Sequence, residues 1–146
     1  GPRVIEYNCR FGDPEAQVVL PLLDCDLLEV MIAVSEGRLA DADVRIRDGC
    51  AACVIVASGG YPGKYETGYE ISVPEDAADS IIYAGVRASG DKIFTSGGRV
   101  LGVTATAKTL KEALDEAYAK AARVKFENAF YRRDIGKKAL CAAEAK

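Results

Sequence analysis

The sequence contains no histidine. Within this chain, that excludes Ser-His-Asp and Cys-His nucleophile systems, zinc sites built on imidazole, and imidazole acid–base chemistry. Any chemistry must come from carboxylates, amides, guanidinium groups, backbone N–H groups or bound cofactors. An excess of basic residues is also missing. Nineteen Lys and Arg stand against 22 Asp and Glu, a formal net charge of −3, so no nucleic-acid partner is expected. No apolar run approaches membrane-spanning length and no charged-then-apolar signal opens the chain, so no membrane partner is expected either. Cysteine is present without a framework. Cys9, Cys25, Cys50, Cys53 and Cys141 are odd in number and irregularly spaced, which suits a reducing compartment and a cytoplasmic location.

What is there is an ordinary globular mix: 146 residues, 49% apolar and 28% charged, enough for one compact domain or one domain plus part of another. Arg3 to Phe11 alternates. Ile5, Tyr7, Cys9 and Phe11 fall on one face, and Glu6, Asn8 and Arg10 on the other, which predicts a strand with one buried and one polar face. Asp13 is placed to cap a following helix with Pro14 in its first turn. Val18, Val19, Leu22 and Leu23 continue as a buried helical stretch bent at Pro21. A second helix is expected from about Asp26, with Leu27, Val30, Met31 and Val34 as its apolar stripe and Gly37 as its stop.

From about Asp41 the pattern changes. Strands are predicted at 51–57, 69–73, 80–86, 92–95 and 99–106, separated by Gly-, Pro- and Asp-rich turns, and the short spacing suggests an antiparallel meander. Thr109-Leu110-Lys111-Glu112 is a capping box. It opens a helix whose buried face is Leu110, Leu114, Ala117, Tyr118, Ala121 and Val124. The Ala-rich tail from Lys137 reads as a frayed helix or as disordered chain. The fold class is therefore α+β, with a boundary near residues 38–46.

Glu6-x-Asn8-x-Arg10 is the strongest chemical constellation. Alternate side chains on a strand lie roughly 6–7 Å apart on one side. A carboxylate and an amide carbonyl are hard oxygen ligands suited to Mg²⁺ that already holds phosphate oxygens. Arg10 can clamp a phosphoryl or carboxylate group through its fork of donors. The plain alternative is a solvent-facing polar strand face. Asp13 and Glu15 add carboxylates to the next turn, or else serve helix capping and the macrodipole. Ser58-Gly59-Gly60-Tyr61-Pro62-Gly63 and Thr95-Ser96-Gly97-Gly98-Arg99 could present N–H groups to an anion, or be simple turns. Neither ends in the Gly-Lys-Ser/Thr of a phosphate loop. Cys50-Ala51-Ala52-Cys53 is a lone pair at the start of an apolar strand, where ordinary burial is the better explanation. Tyr131-Arg132-Arg133-Asp134 is a basic recognition patch or a surface ion pair.

Four blocks, taken together, carry a resemblance: residues 3–23 (RVIEYNCRFGDPEAQVVLPLL), 57–63 (ASGGYPG), 95–104 (TSGGRVLGVT) and 131–136 (YRRDIG). In this order they closely resemble the phosphoribosylamine–glycine ligase family of the ATP-grasp superfamily. Only the tail after Gly136 lies outside the resemblance. The resemblance implies an ATP-dependent ligase joining glycine to 5-phosphoribosylamine through a glycyl phosphate, an early step of purine synthesis. It implies ATP and Mg²⁺, or Mn²⁺ in its place, as cofactors. By the same resemblance Glu6 and Asn8 are metal ligands, Arg10 faces the transferring phosphate, and Asp13 and Glu15 lie near the amine substrate.

The domain assignment follows. Residues 1–42 are expected to be the C-terminal piece of an ATP-grasp domain, 43–136 a small antiparallel-sheet C-terminal domain with one long helix, and 137–146 a tail. The chain then corresponds to the C-terminal third of such an enzyme, inactive alone. Its expected partner is the missing N-terminal portion, and the apolar face so exposed favours association, a homodimer included. Two other readings stay open: a non-catalytic interaction or structural module, and another ATP-grasp carboxylate–amine ligase, since Glu-x-Asn-x-Arg is shared across that superfamily.

Overall fold

Two long β-branched strands organise the chain. β1 (Cys50–Ser58) and β5 (Arg99–Ala107) run antiparallel in the middle of a four-stranded sheet of order β2-β5-β1-β6, with β2 at Ile81–Tyr83 and β6 at Ala129–Phe130. The structure is a computed structural model that describes residues 1–144. In the central pair Val54 faces Val103 and Val56 faces Leu101, and the register shifts between Val56 and Ala57. Val54, Val56, Val100, Leu101 and Val103 are fully buried.

The amphipathic helix α3 (Leu110–Ala121) packs across β1 and β5. It buries Ala113, Leu114, Ala117 and Ala121 against the sheet. The capping box predicted at its start is formed. The Thr109 hydroxyl accepts from the Glu112 N–H at 3.2 Å, and the Glu112 carboxylate accepts from the Thr109 N–H at 3.1 Å. A short helix, α1 (Ala16–Val19), followed by a 3-10 turn at Leu20–Leu22, lies on the other face of the sheet. Gly102 makes room there. A Cβ on Gly102 would stand 2.8 Å from Cys53 Sγ and 4.0 Å from Gln17 Cγ.

The α+β class and the antiparallel sheet are as expected, but the order is not a meander. β1 and β5 pair across some forty intervening residues because they are the two longest apolar runs. Only β3 (Val86–Ser89) and β4 (Lys92–Thr95) form the local hairpin the spacing suggested, as a separate two-stranded sheet. The strand predicted over 80–86 is divided, since β2 pairs with β5 and β3 with β4. Gly85 sits at the division, where a Cβ would meet the Arg99 carbonyl oxygen at 2.6 Å and Gly97 Cα at 2.8 Å. Residues 69–73 make single bridges, Glu70 to Phe94 and Ser72 to Lys125, rather than a strand. The tail forms α4 (Lys137–Glu144), and its last two residues lie outside the described residues.

The opening segment departs most from expectation. Residues 1–11 form neither helix nor strand and bend at Arg10, and the face expected to be buried is exposed: Ile5 97%, Tyr7 83%. A strand exists only through a neighbour that takes up its N–H and C=O groups. Among the described residues no such neighbour is offered to this segment. α1 is shorter than expected and Val19 is exposed, as Pro21 turns the chain into the 3-10 geometry. Asp13 does not cap α1; Glu15 occupies that position without a side-chain hydrogen bond. α2 (Leu27–Ser35) begins where expected. The Asp26 carboxylate accepts from the N–H groups of Leu28 and Glu29 at 2.8 and 3.4 Å. Of its residues only Ala33 is buried, and Leu28, Met31 and Val34 are exposed.

Candidate functional site

Glu6, Asn8 and Arg10 stay together without a sheet, their side chains joined in a row by hydrogen bonds. The Asn8 amide donates to Glu6 Oε1 at 3.2 Å, and Arg10 Nη1 donates to Asn8 Oδ1 at 3.0 Å. All three are exposed. The arrangement presents a carboxylate, an amide oxygen and a guanidinium on one edge. Asn8 and Arg10 also line, with Cys9 and Phe11, a groove whose other wall is Leu27, Val30, Met31 and Val34 of α2.

Asp13 is held by the body of the chain. Arg99, the first residue of β5, donates through Nη2 to Asp13 Oδ2 at 2.7 Å and through Nη1 to the Asp13 carbonyl at 3.2 Å. Gln17 Nε2 donates to the other carboxylate oxygen, Oδ1, at 3.0 Å. Gln17 in turn is tied to the sheet, its carbonyl accepting from Thr104 Oγ1 at 3.3 Å. Its Oε1 is buried and takes no hydrogen bond. Glu15 folds back over Gly12: a Cβ there would stand 2.1 Å from Glu15 Oε2. Among the described residues Glu15 has no ion-pair partner.

The two glycine loops meet one another at the end of the central strands. Buried Ser58 donates through its N–H to the Gly98 carbonyl at 2.8 Å and through its hydroxyl to the Gly97 carbonyl at 2.9 Å. The Tyr61 ring lies so close over Gly98 that a Cβ there would be 2.2 Å from it. Packing of loop on loop accounts for Gly98.

The other motifs take their plain readings. Cys50 and Cys53 are free and half-buried, and burial pushes the Cys53 thiol up. Arg132 donates to both carboxylate oxygens of Asp134, at 2.9 and 2.7 Å, and this pairing holds the Asp134 carboxyl below its ordinary value. Among the described residues no group of three or more Asp, Glu or Cys gathers where a metal could be held. No helix among them is long and apolar enough to cross a membrane.

The sequence pattern located Glu6, Asn8 and Arg10 together and the structure keeps them together. It missed the junction of Asp13 with Arg99 and the part of Gln17 in it. Those residues are 86 apart, and no periodicity links them.

Residues 51–138 match the family described as "Phosphoribosylglycinamide synthetase, C domain". A phosphoribosylamine–glycine ligase of Chlorobaculum tepidum is 50% identical over 143 residues, covering 95% of this chain and 34% of that protein. A Rhizobium meliloti protein of the same name is 46% identical over 147 residues, covering 99% of this chain and 35% of that protein. The crystal structure of phosphoribosylamine–glycine ligase from Thermotoga maritima superposes with a TM-score of 0.73 at 38% identity, over 91% of this chain and 33% of that one. The chain spans about a third of the length of these relatives.

Proposed function

The chain belongs to the phosphoribosylglycinamide synthetase C-domain family, and on that premise we propose that it is the C-terminal third of an ATP-dependent ligase that joins glycine to 5-phosphoribosylamine. Residues 1–42 then complete an ATP-grasp domain whose greater part lies in preceding polypeptide, and 43–136 form the C-terminal domain. The observation that carries this reading is the row Glu6–Asn8–Arg10. Its three side chains are exposed, hydrogen-bonded in turn, and outside every sheet.

The reaction needs little covalent help from protein. The γ-phosphoryl group of ATP passes to the glycine carboxylate, giving glycyl phosphate and ADP. The amine then displaces phosphate to give glycinamide ribonucleotide. Such transfers call for charge neutralisation and alignment, which a chain without histidine can supply. The Glu6 carboxylate and the Asn8 amide oxygen are hard donors on one side and suit Mg²⁺, which commonly keeps several waters and takes one or two protein oxygens. Bound there, the ion would offset the negative charge of the phosphates. Arg10 projects beside these oxygens with donors on a planar fork, the geometry that holds a phosphoryl or acyl-phosphate group in line. Glu15, with no ion-pair partner among the described residues, is assigned to the neighbourhood of the amine substrate. Five free cysteines suit a cytoplasmic enzyme.

The test joins this chain to the preceding two thirds of a ligase of this family and follows ADP release. Release that requires both glycine and 5-phosphoribosylamine supports the reading. Release with a different acid–amine pair contradicts the substrate assignment, and a folded, joined protein with no ATP turnover contradicts the ligase reading.

A further inference from the structure

The segment that carries Glu6, Asn8 and Arg10 is attached to the body of the chain by very little. Among the described residues, none of 1–11 makes a backbone hydrogen bond, and their side-chain hydrogen bonds run only among themselves. Gly12 accepts from Glu15 and Ala16, which is local. Asp13 is the first residue with polar links to a distant element, and Arg99 supplies two of them.

We infer that Arg99 is a positioning residue: through Asp13 it anchors the Glu6–Asn8–Arg10 segment to the first residue of β5, and so sets where that row stands relative to the sheet. The catalytic consequence rests on the ligase reading above; the anchoring does not.

Three features support the assignment. Arg99 reaches two different oxygens of one residue, the carboxylate Oδ2 and the main-chain carbonyl, so it fixes backbone as well as side chain. A planar fork holds both oxygens from separate nitrogens in fixed geometry, which the single rotatable ammonium of a lysine does not. Both Asp13 carboxylate oxygens are engaged, Oδ2 by Arg99 and Oδ1 by Gln17, and Gln17 is itself bonded to Thr104 of β5. Asp13 is thereby committed to the body of the chain rather than to a substrate. Finally, Arg99 follows Gly98 directly, in the loop that Ser58 and Tyr61 hold in place, so the anchor point is itself rigid. A displacement of about 1 Å in a catalytic row costs on the order of a hundredfold in rate, which is why one such pair matters.

The test has two arms. In this chain, amide hydrogen exchange is compared at Glu15, Ala16, Val18 and Val19 for the parent protein, Arg99→Lys and Asp13→Asn. The amides of α3 report whether each variant is folded. Both variants are expected to speed exchange at the four amides by about tenfold, leaving α3 unchanged. Unchanged exchange at the four amides in folded variants overturns the anchor.

In the joined ligase, Arg99→Lys is expected to lower kcat by about ten- to a hundredfold and to raise the Mg²⁺ concentration required, with KM for 5-phosphoribosylamine unchanged. A raised KM for that substrate with an unaltered Mg²⁺ curve would make Arg99 a substrate contact and overturn the proposal. Should the parent ligase show no glycine-dependent turnover, the ligase reading fails, and the exchange arm still decides the anchor.

Discussion

Arg10 shows how one side chain can carry opposite requirements. It donates to Asn8 Oδ1 while its remaining donors stay free for a phosphoryl group, and it sits at a bend in a segment that, among the described residues, no strand pairs with. A lysine there would keep the charge and lose the fork. In the joined ligase, Arg10→Lys is expected to lower kcat by about ten- to a hundredfold with little change in KM for glycine, read from steady-state ADP release. Equal losses of kcat for Arg10→Lys and Arg10→Ala would confirm that geometry, beyond charge, is what the position supplies. Full activity of Arg10→Lys would remove the clamp from the account.

At the scale of elements, polar joints on α3 and just beyond its end tie this part of the chain to its surroundings. The Tyr118 hydroxyl donates to the Arg132 carbonyl at 2.9 Å and accepts from the Ile135 N–H at 3.0 Å, tying the helix to the segment before α4. Tyr118→Phe removes both and is expected to cost about 1–2 kcal/mol, measurable by urea denaturation. At a second joint, Arg123 donates to both carboxylate oxygens of Asp76 at 2.7 and 2.6 Å, and this holds the Asp76 carboxyl below its ordinary value of 3.8. The unfolded chain therefore takes up this proton at higher pH than the folded one does. The pair's contribution is present above the unfolded value and is lost as pH falls from there through the folded one. The pair is exposed, so the effect is screened and small. Asp76→Asn is expected to narrow slightly the fall in Tm between about pH 5 and about pH 3. An unchanged acid limb would count against the pairing.

Taken whole, the molecule has a well-buried centre and an exposed apolar edge. Val4, Ile5 and Tyr7 on the opening segment and Leu28, Met31 and Val34 on α2 are exposed together with the groove beside Phe11. This much apolar surface favours association, and light scattering of the chain alone is expected to show mass rising with concentration. A clean monomer at high concentration would show that the edge is tolerated in water. The same edge marks the limit of what the sequence alone reveals. α3 was legible because its capping box forms as read and Leu114, Ala117 and Ala121 are buried where the period places them, although Ala113 is buried as well and Leu110 and Tyr118 are only half-buried. β1 and β5 were legible as β-branched runs, but their pairing, set by contacts between distant residues, was not. The row at Glu6, Asn8 and Arg10 was legible as three polar residues at alternate positions, which hydrogen-bond to one another in turn. Its strand was not, because no described residue pairs with the segment. The Asp13–Arg99 anchor left no local signal at all.

Magnesium dependence puts the central claim to its most direct trial. In the joined ligase, glycine-dependent ADP release is titrated with Mg²⁺ for the parent protein, Glu6→Gln and Asn8→Ala. Each variant is expected to turn over about a hundredfold more slowly and to need more Mg²⁺ for half-maximal rate. Parent-like rates and Mg²⁺ curves in both variants would contradict the account.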